Sequence, residues 1–161
     1  GDAQPDLTFG WQNNFTWKNW DFSFFFRGTI GNKVLNNPRA AYANNTYLIG
    51  TNALDDELTY TMKESSRVCS YYLENGSFIR LDNLALGYTF DTKKINWLDK
   101  ARLYFAAQNL FVITGYKGLD PEVELFRGES SDTDAGLSPG IEPRQFFPKA
   151  RTFTLGVNLT F

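Results

Sequence analysis

Six tyrosines, Tyr42, Tyr47, Tyr60, Tyr71, Tyr72 and Tyr116, stand in or beside two long polar stretches. Flat rings with a polar tip can stack on sugars or peptides and hydrogen-bond at the rim. The competing role at each position is plainer: the rings pack loops against one another or against a partner. A second group, Asp120, Glu122, Glu124, Glu129, Asp132 and Asp134, offers carboxylate oxygens of the kind calcium takes. Its spacing fits no defined calcium loop, so it reads as a solvated acidic surface, and no metal site is assigned. Gly115-Tyr116-Lys117-Gly118 lacks the strand-loop-helix context of a phosphate loop and reads as a tight turn in which glycine accepts positive φ. Arg80 and Asp82 are candidates for lining a pathway or, more simply, for a structural ion pair. The sequon Asn75-Gly76-Ser77 is a chance match.

The absences restrict the chemistry further. The chain has no histidine, which removes Ser-His-Asp and Cys-His catalysis, the commonest general base and most zinc sites. Its single cysteine, Cys69, allows no internal disulfide. No catalytic residue and no cofactor are therefore expected, and the chain does not read as an enzyme. A net charge of -2 without a Lys/Arg run leaves no electrostatic footprint for nucleic acid.

Whatever the tyrosines do, strands must position them. Aromatics make up 17% of the 161 residues, yet the mean hydropathy is -0.37, so the apolar content is dispersed among polar residues. The longest apolar cluster, Phe24-Phe25-Phe26, is far short of the roughly 18 residues of a membrane helix. From Arg151 to Phe161, by contrast, apolar and small polar residues alternate strictly. Phe153, Leu155, Val157, Leu159 and Phe161 share one face of a strand; Thr152, Thr154, Gly156, Asn158 and Thr160 share the other. That pattern suits either a sheet covering a soluble core or a strand crossing a bilayer in a barrel.

Four more segments carry the same period: residues 7–17, 20–30, 78–90 and 101–113. The first places Leu7, Phe9, Trp11, Phe15 and Trp17 on one face. The second places Trp20, Phe22, Phe24 and Phe26 opposite Asp21, Ser23 and Arg27, with Phe25 out of phase. Lys18-Asn19 joins these two as a hairpin. The third changes parity, because Ile79 and Leu81 alternate with charges while Leu84, Leu86, Tyr88 and Phe90 form the later apolar face. A bulge near Asp82-Asn83 would turn the charges inward; otherwise this end stands above the membrane. The fourth sets Leu103, Phe105, Ala107 and Phe111 opposite Arg102, Tyr104, Ala106 and Gln108.

The connections alternate between short (18–19 and 91–100) and long (31–77 and 114–150). Loops that long without structure are uncommon in compact soluble domains, and the alternation is that of an outer-membrane barrel. Trp17, Trp20, Tyr88, Phe90 and Phe161 all fall at the short-turn ends, where a membrane barrel carries an aromatic girdle. The expected fold is thus all-β, an antiparallel transmembrane barrel segment of five strands. A soluble β-sandwich that binds carbohydrate is the alternative.

Three ordered motifs carry a family resemblance. They are Phe78-Ile79-Arg80-Leu81-Asp82-Asn83-Leu84-Ala85-Leu86-Gly87-Tyr88-Thr89-Phe90, then Leu103 through Asn109-Leu110-Phe111 to Asp120-Pro121-Glu122, then Phe147-Pro148-Lys149-Ala150-Arg151 to Phe161. Together they resemble the C-terminal end of a SusC/RagA-type TonB-dependent outer-membrane transporter of the Bacteroidetes. The match is good over 78–161 and looser over 1–30, and residues 31–77 and 123–145 add nothing to it. The resemblance implies a barrel of about 22 strands around a plug, a SusD-like lipoprotein over the extracellular mouth, and TonB acting through a part of the receptor that this chain lacks. It implies import of a nutrient, a glycan foremost or a peptide, across the outer membrane of a Gram-negative cell. Residues 1–161 contain no plug domain, and five strands cannot close a barrel. The remaining wall is therefore expected from the rest of the same polypeptide or from a partner chain, with lipid outside it.

Overall fold

A computed structural model of the chain describes residues 1–43, 50, 54–55, 70–92, 97–123, 139–144 and 147–161. Of the sequence-derived candidates, Tyr47, Tyr60, Cys69, Glu124, Glu129, Asp132 and Asp134 lie outside the described residues.

Seven strands occur among the described residues: β1 (Leu7–Trp17), β2 (Trp20–Ile30), β3 (Lys33–Leu35), β4 (Leu73–Asn75), β5 (Phe78–Phe90), β6 (Lys100–Thr114) and β7 (Thr152–Thr160). Five of them form one sheet in the order β1-β2-β5-β6-β7. Leaving out the two short strands, this is the up-and-down order that the hairpin at Lys18-Asn19 and the alternating connections predict. The three earlier boundaries match the sequence expectation. β6 begins and ends one residue further out, and β7 runs over 152–160 within the expected 151–161. Lys18 takes φ 54 in the two-residue turn, in the left-handed region that tight hairpins use.

The chain divides into two compact units. The sheet unit comprises Thr8–Gly28, Ile79–Ile113 and Lys149–Phe161. Its last pairing fixes the faces: in the antiparallel β6–β7 register, Leu103 opposes Val157, Phe105 opposes Leu155 and Ala101 opposes Leu159, while Arg102 opposes Asn158 and Gln108 opposes Thr152. Apolar thus meets apolar and polar meets polar, and a slip of one residue would invert both faces. Pairing ends at Gln108↔Thr152. Beyond it Asn109 takes φ 50 and its side-chain amide donates to the Ala150 carbonyl at 3.2 Å, a left-handed position that asparagine tolerates.

The loop unit comprises Gly1–Leu7, Thr29–Phe78 and Thr114–Pro148. The long loop 31–77 departs here from its expected lack of structure. β3 and β4 pair antiparallel through Lys33↔Asn75, Val34↔Glu74 and Leu35↔Leu73, and a helix α1 spans Asn37–Tyr42. Asn36 caps that helix by accepting from the Arg39 N–H at 2.9 Å, and Pro38 in the first turn needs no donor there. The signal was present as Asn-Asn-Pro-Arg-Ala-Ala, but six residues are too few for a periodic pattern. Ala40, Ala43 and Tyr72 form a small core with Leu35 against it.

Candidate functional site

The sheet unit has two chemically distinct faces. On one, Trp11 of β1 meets Phe24 (ring centroids 5.2 Å) and Phe26 (6.1 Å) of β2, Phe15 stacks on Phe22 at 6.2 Å, and Phe26 approaches Phe111 of β6 at 6.1 Å. Phe105 and Phe153 stack at 6.2 Å. Much of this face lies open: Trp11 is 57% exposed, Phe153 61%, and Leu155 and Val157 of β7 73% and 61%, while Phe22, Phe24 and Phe26 are half-buried. Soluble monomers rarely expose so large a contiguous apolar surface. A sandwich would bury it under a second sheet, but the second sheet among the described residues is the three-residue β3–β4 pair.

Several of the aromatics at the short-turn ends make ring contacts with one another. Trp20 packs on Tyr88 at 4.7 Å and Tyr88 on Phe90 at 4.9 Å. Trp17 carries the Lys18 ammonium 5.0 Å from its ring centroid. Phe161 stacks on Trp97, with centroids 5.8 Å apart and planes within 13°. Trp97, which the strand period does not single out, stands in a short connection beside these aromatics.

The opposite face is polar and tied across strands. Arg102 of β6 donates from Nε to Asp21 Oδ1 of β2 at 3.0 Å and pairs a second time with Asp21 Oδ2. Gly87 of β5 lies beneath this pair: a Cβ there would fall 2.6 Å from Asp21 Oδ2. The Arg102 guanidinium also lies 5.4 Å from the Tyr104 ring centroid. That ring covers Gly156, whose added Cβ would meet Tyr104 Cε1 at 2.5 Å. Phe25, out of phase in the sequence, lies over Gly10 at 3.2 Å from the position a Cβ would take. None of these three glycines has a positive φ; each leaves room for a neighbour's side chain.

At the other end of β2, Arg27 Nε pairs with Asp82 of β5 at 3.2 Å. Asp82 therefore shares the polar face with Arg27, and Gly87 shares it with Asp21, so side-chain parity switches along β5 between 82 and 87. The charges turn onto the polar face, as the bulge reading expects. Arg80 is buried, at 3% exposure, and the pairing of Asp82 with Arg27 is one that the sequence did not indicate.

Among the described residues of the loop unit, Glu142 is the most buried charged residue. Its Oε2 accepts from the Tyr116 hydroxyl at 2.6 Å and its Oε1 from the Leu119 N–H at 2.9 Å. Burial and then the Glu142 carboxylate push the Tyr116 phenol well above its ordinary range, because a phenolate here would be poorly solvated and would face a negative charge. Glu74 of β4 is a second node: it accepts from Arg39 Nη1 at 3.0 Å, from Asn36 Nδ2 at 3.3 Å and from the Lys117 N–H at 2.8 Å.

The candidate tyrosines separate on this geometry. Tyr72 (1% exposed) and Tyr116 (7%) are packed inside the loop unit. Tyr42 and Tyr71 are exposed, at 39% and 59%. The turn at 115–118 also differs from expectation. Its glycines do not take positive φ; among the described residues the positive-φ glycines are Gly31 and Gly140. Gly118 is required for space, since a Cβ would lie 2.5 Å from Tyr116 Cζ. Asp120 is buried and accepts the Glu122 N–H at 3.0 Å, a local turn rather than a ligand position.

An antiparallel sheet with one uncharged apolar face lying open and one ion-paired polar face has the form of transmembrane barrel wall. The relatives agree. The chain is 34% identical, over its full length, to TonB-dependent receptor P3 of Formosa agariphila, and 31% identical over 97% of its length to TonB-dependent receptor SusC of Bacteroides thetaiotaomicron. It superposes on the RagAB peptide importer in the closed-closed state with a TM-score of 0.72 and 25% identity over 99% of the chain. No family model matches. The chain spans 17% of the length of receptor P3, 15% of SusC and 18% of the RagAB chain. From end to end it is thus a relative of the SusC/RagA type of TonB-dependent receptor, matching one stretch of those longer proteins.

Proposed function

We propose that the chain forms part of the barrel wall of an outer-membrane TonB-dependent nutrient importer. The observation that supports this most is the open, uncharged apolar face running from Trp11 to Leu159, opposite a polar face held by Asp21 and Arg102. In this reading residues 1–161 are the C-terminal part of a barrel of about 22 strands. The rest of the wall and the plug come from the same receptor, Trp17, Trp20, Tyr88, Phe90 and Phe161 lie at one membrane interface, and residues 31–77 and 114–150 are extracellular loops. A SusD-like lipoprotein covers the mouth, TonB supplies the energy through the plug-bearing part, and the cargo is moved without being chemically changed. The cargo is a glycan or a peptide. Family tendency favours the glycan, and likeness to a peptide importer keeps the peptide open. Tyr42 and Tyr71, with Tyr47 and Tyr60, are the proposed contacts to cargo or lipoprotein.

The test is uptake by cells carrying the full-length receptor, with a TonB-deficient strain as control and labelled oligosaccharides and oligopeptides supplied separately. The proposal expects the receptor in the outer-membrane fraction and TonB-dependent accumulation of one cargo class. A receptor recovered in the soluble fraction, or uptake unchanged by loss of TonB, contradicts it.

A further inference from the structure

We infer that the polar face of the sheet carries a subsite for one uncharged sugar ring, with Phe25 as its platform and the side-chain amides of Gln12, Asn83 and Gln108 around it. The inference rests on the importer reading, in which this face lines the lumen. Phe25 is the residue that breaks the period of β2. It lies on the polar side with Ser23 and Arg27, while Phe22, Phe24 and Phe26 pack against other rings on the apolar side. Among the described residues Phe25 meets no second aromatic ring. Its ring leans instead over Gly10 of β1, where Cε2 would lie 3.2 Å from an added Cβ, and it stays half-buried.

A recess of 270 Å³ opens beside this ring, wholly within the sheet unit, with Gln12, Ser23, Asn83 and Gln108 standing around it. Ala85 of β5 and Ala106 of β6 keep its floor low. The three carboxamides are exposed, and among the described residues their side chains are held by no hydrogen bond from the protein. Each offers an acceptor oxygen and two donor hydrogens. No charged residue is among those that line the recess, and the flanking charges of β2, Asp21 and Arg27, are already paired with Arg102 and Asp82. This set fits a ligand that is neutral, rich in hydroxyls and apolar on one side. A pyranose meets all three conditions: its C–H face lies on the phenyl ring, and its hydroxyls, each donor and acceptor, pair with the amides. A charged sugar or a peptide terminus would lose hydration without gaining a counter-ion. An extended peptide is matched by main-chain groups along a sheet edge, whereas the partners here are side chains in the middle of a sheet. Drug-sized ligands fill about 300–1,000 Å³, so the recess takes one ring of a longer chain.

Calorimetric titration of the full-length receptor in detergent tests this. The probes are neutral tetrasaccharides of glucose, mannose, galactose and xylose, a uronic-acid tetrasaccharide, and end-capped tetra-alanine. At least one neutral tetrasaccharide is expected to bind. Phe25→Leu, which stays apolar but loses the ring, is expected to weaken that binding about tenfold. Gln12→Ala and Gln108→Ala are expected to weaken it about threefold each, and Asn158→Ala, on the same face outside the recess, to leave it unchanged. Because Gln12 and Gln108 are exposed, their variants carry the test even where Phe25→Leu fails to fold. Binding of no neutral saccharide, tighter binding of the uronic-acid or peptide probe, or affinity unchanged in all three recess variants would overturn the subsite. TonB-dependent uptake with affinity unchanged in those variants rejects the subsite alone; uptake independent of TonB with the Phe25 effect intact rejects the importer reading alone.

Discussion

Arg102 of β6 reaches over Gly87 of β5 to the carboxylate of Asp21 on β2, joining two strands that are not neighbours in the sheet. The pair is a third exposed, so its own contribution is expected to be small, about 0.2–1 kcal/mol. Its greater consequence is geometric, because it holds three strands in register on the polar face.

Gly87→Ala tests that geometry. The new methyl would lie within 2.6 Å of both Asp21 oxygens, and moving them breaks the pair. We expect a loss of about 1–3 kcal/mol, read as a lower denaturant midpoint of the full-length receptor. The loss should shrink in an Asp21→Ala, Arg102→Ala background, where neither side chain remains over the new methyl. An equal loss in both backgrounds would place the cause elsewhere.

Adjacent residues of β7 should differ sharply in their tolerance of charge. Leu155 opposes Phe105 on the apolar face, and Thr154 opposes Ala106 on the polar face. Leu155→Arg is expected to cost about 2–4 kcal/mol of folding in lipid, while Thr154→Arg stays within about 0.5 kcal/mol. Unfolding titrations of both variants in vesicles measure the difference.

Tyr116 gives the loop unit a dependence on alkaline pH. Its folded-state pKa is raised, so below the ordinary phenol value, about 10, folded and unfolded chains both hold the proton and the bond to Glu142 contributes in full. Above that value the unfolded chain releases the proton and the folded one keeps it, so stability falls as pH rises further. Phenolate absorbance of the native receptor and of Tyr116→Phe should coincide just above pH 10, then separate by one tyrosine on unfolding. Titration of Tyr116 in the native state would contradict this.

Tyr71 and Tyr72 are neighbours with opposite exposure, 59% and 1%. Tyr71→Ala is expected to lower cargo or lipoprotein affinity with little change in stability. Tyr72→Ala, which empties the core beside Ala40 and Ala43, is expected to cost about 3–5 kcal/mol. Binding and unfolding measured on both variants separate the two roles.

What the sequence made legible follows from period. Phe153 to Phe161 and Trp20 to Phe26 repeat every second residue over a full strand, and the structure puts them on the faces that repeat requires. The parity change in β5 was also visible, because Arg80 and Asp82 could not share a face with Leu86 and Phe90. The Asp21–Arg102 pair was not, since it joins residues 81 positions apart across an intervening strand, and the register that aligns them is set by all five strands. Glu142 escaped for a similar reason. A single glutamate in a stretch rich in glycine, serine and acids gives no sign of burial, and only the fold brings Leu35, Tyr116 and Leu119 around it.

Solvent accessibility along β7 tests the barrel wall most directly. Spin labels placed singly from position 153 to 159, in a cysteine-free background of the full-length receptor in bilayers, should alternate. Labels at 153, 155, 157 and 159 should be relaxed by dissolved oxygen, and those at 154, 156 and 158 by a water-soluble nickel chelate. A uniform response to the water-soluble reagent at all seven positions would contradict the account.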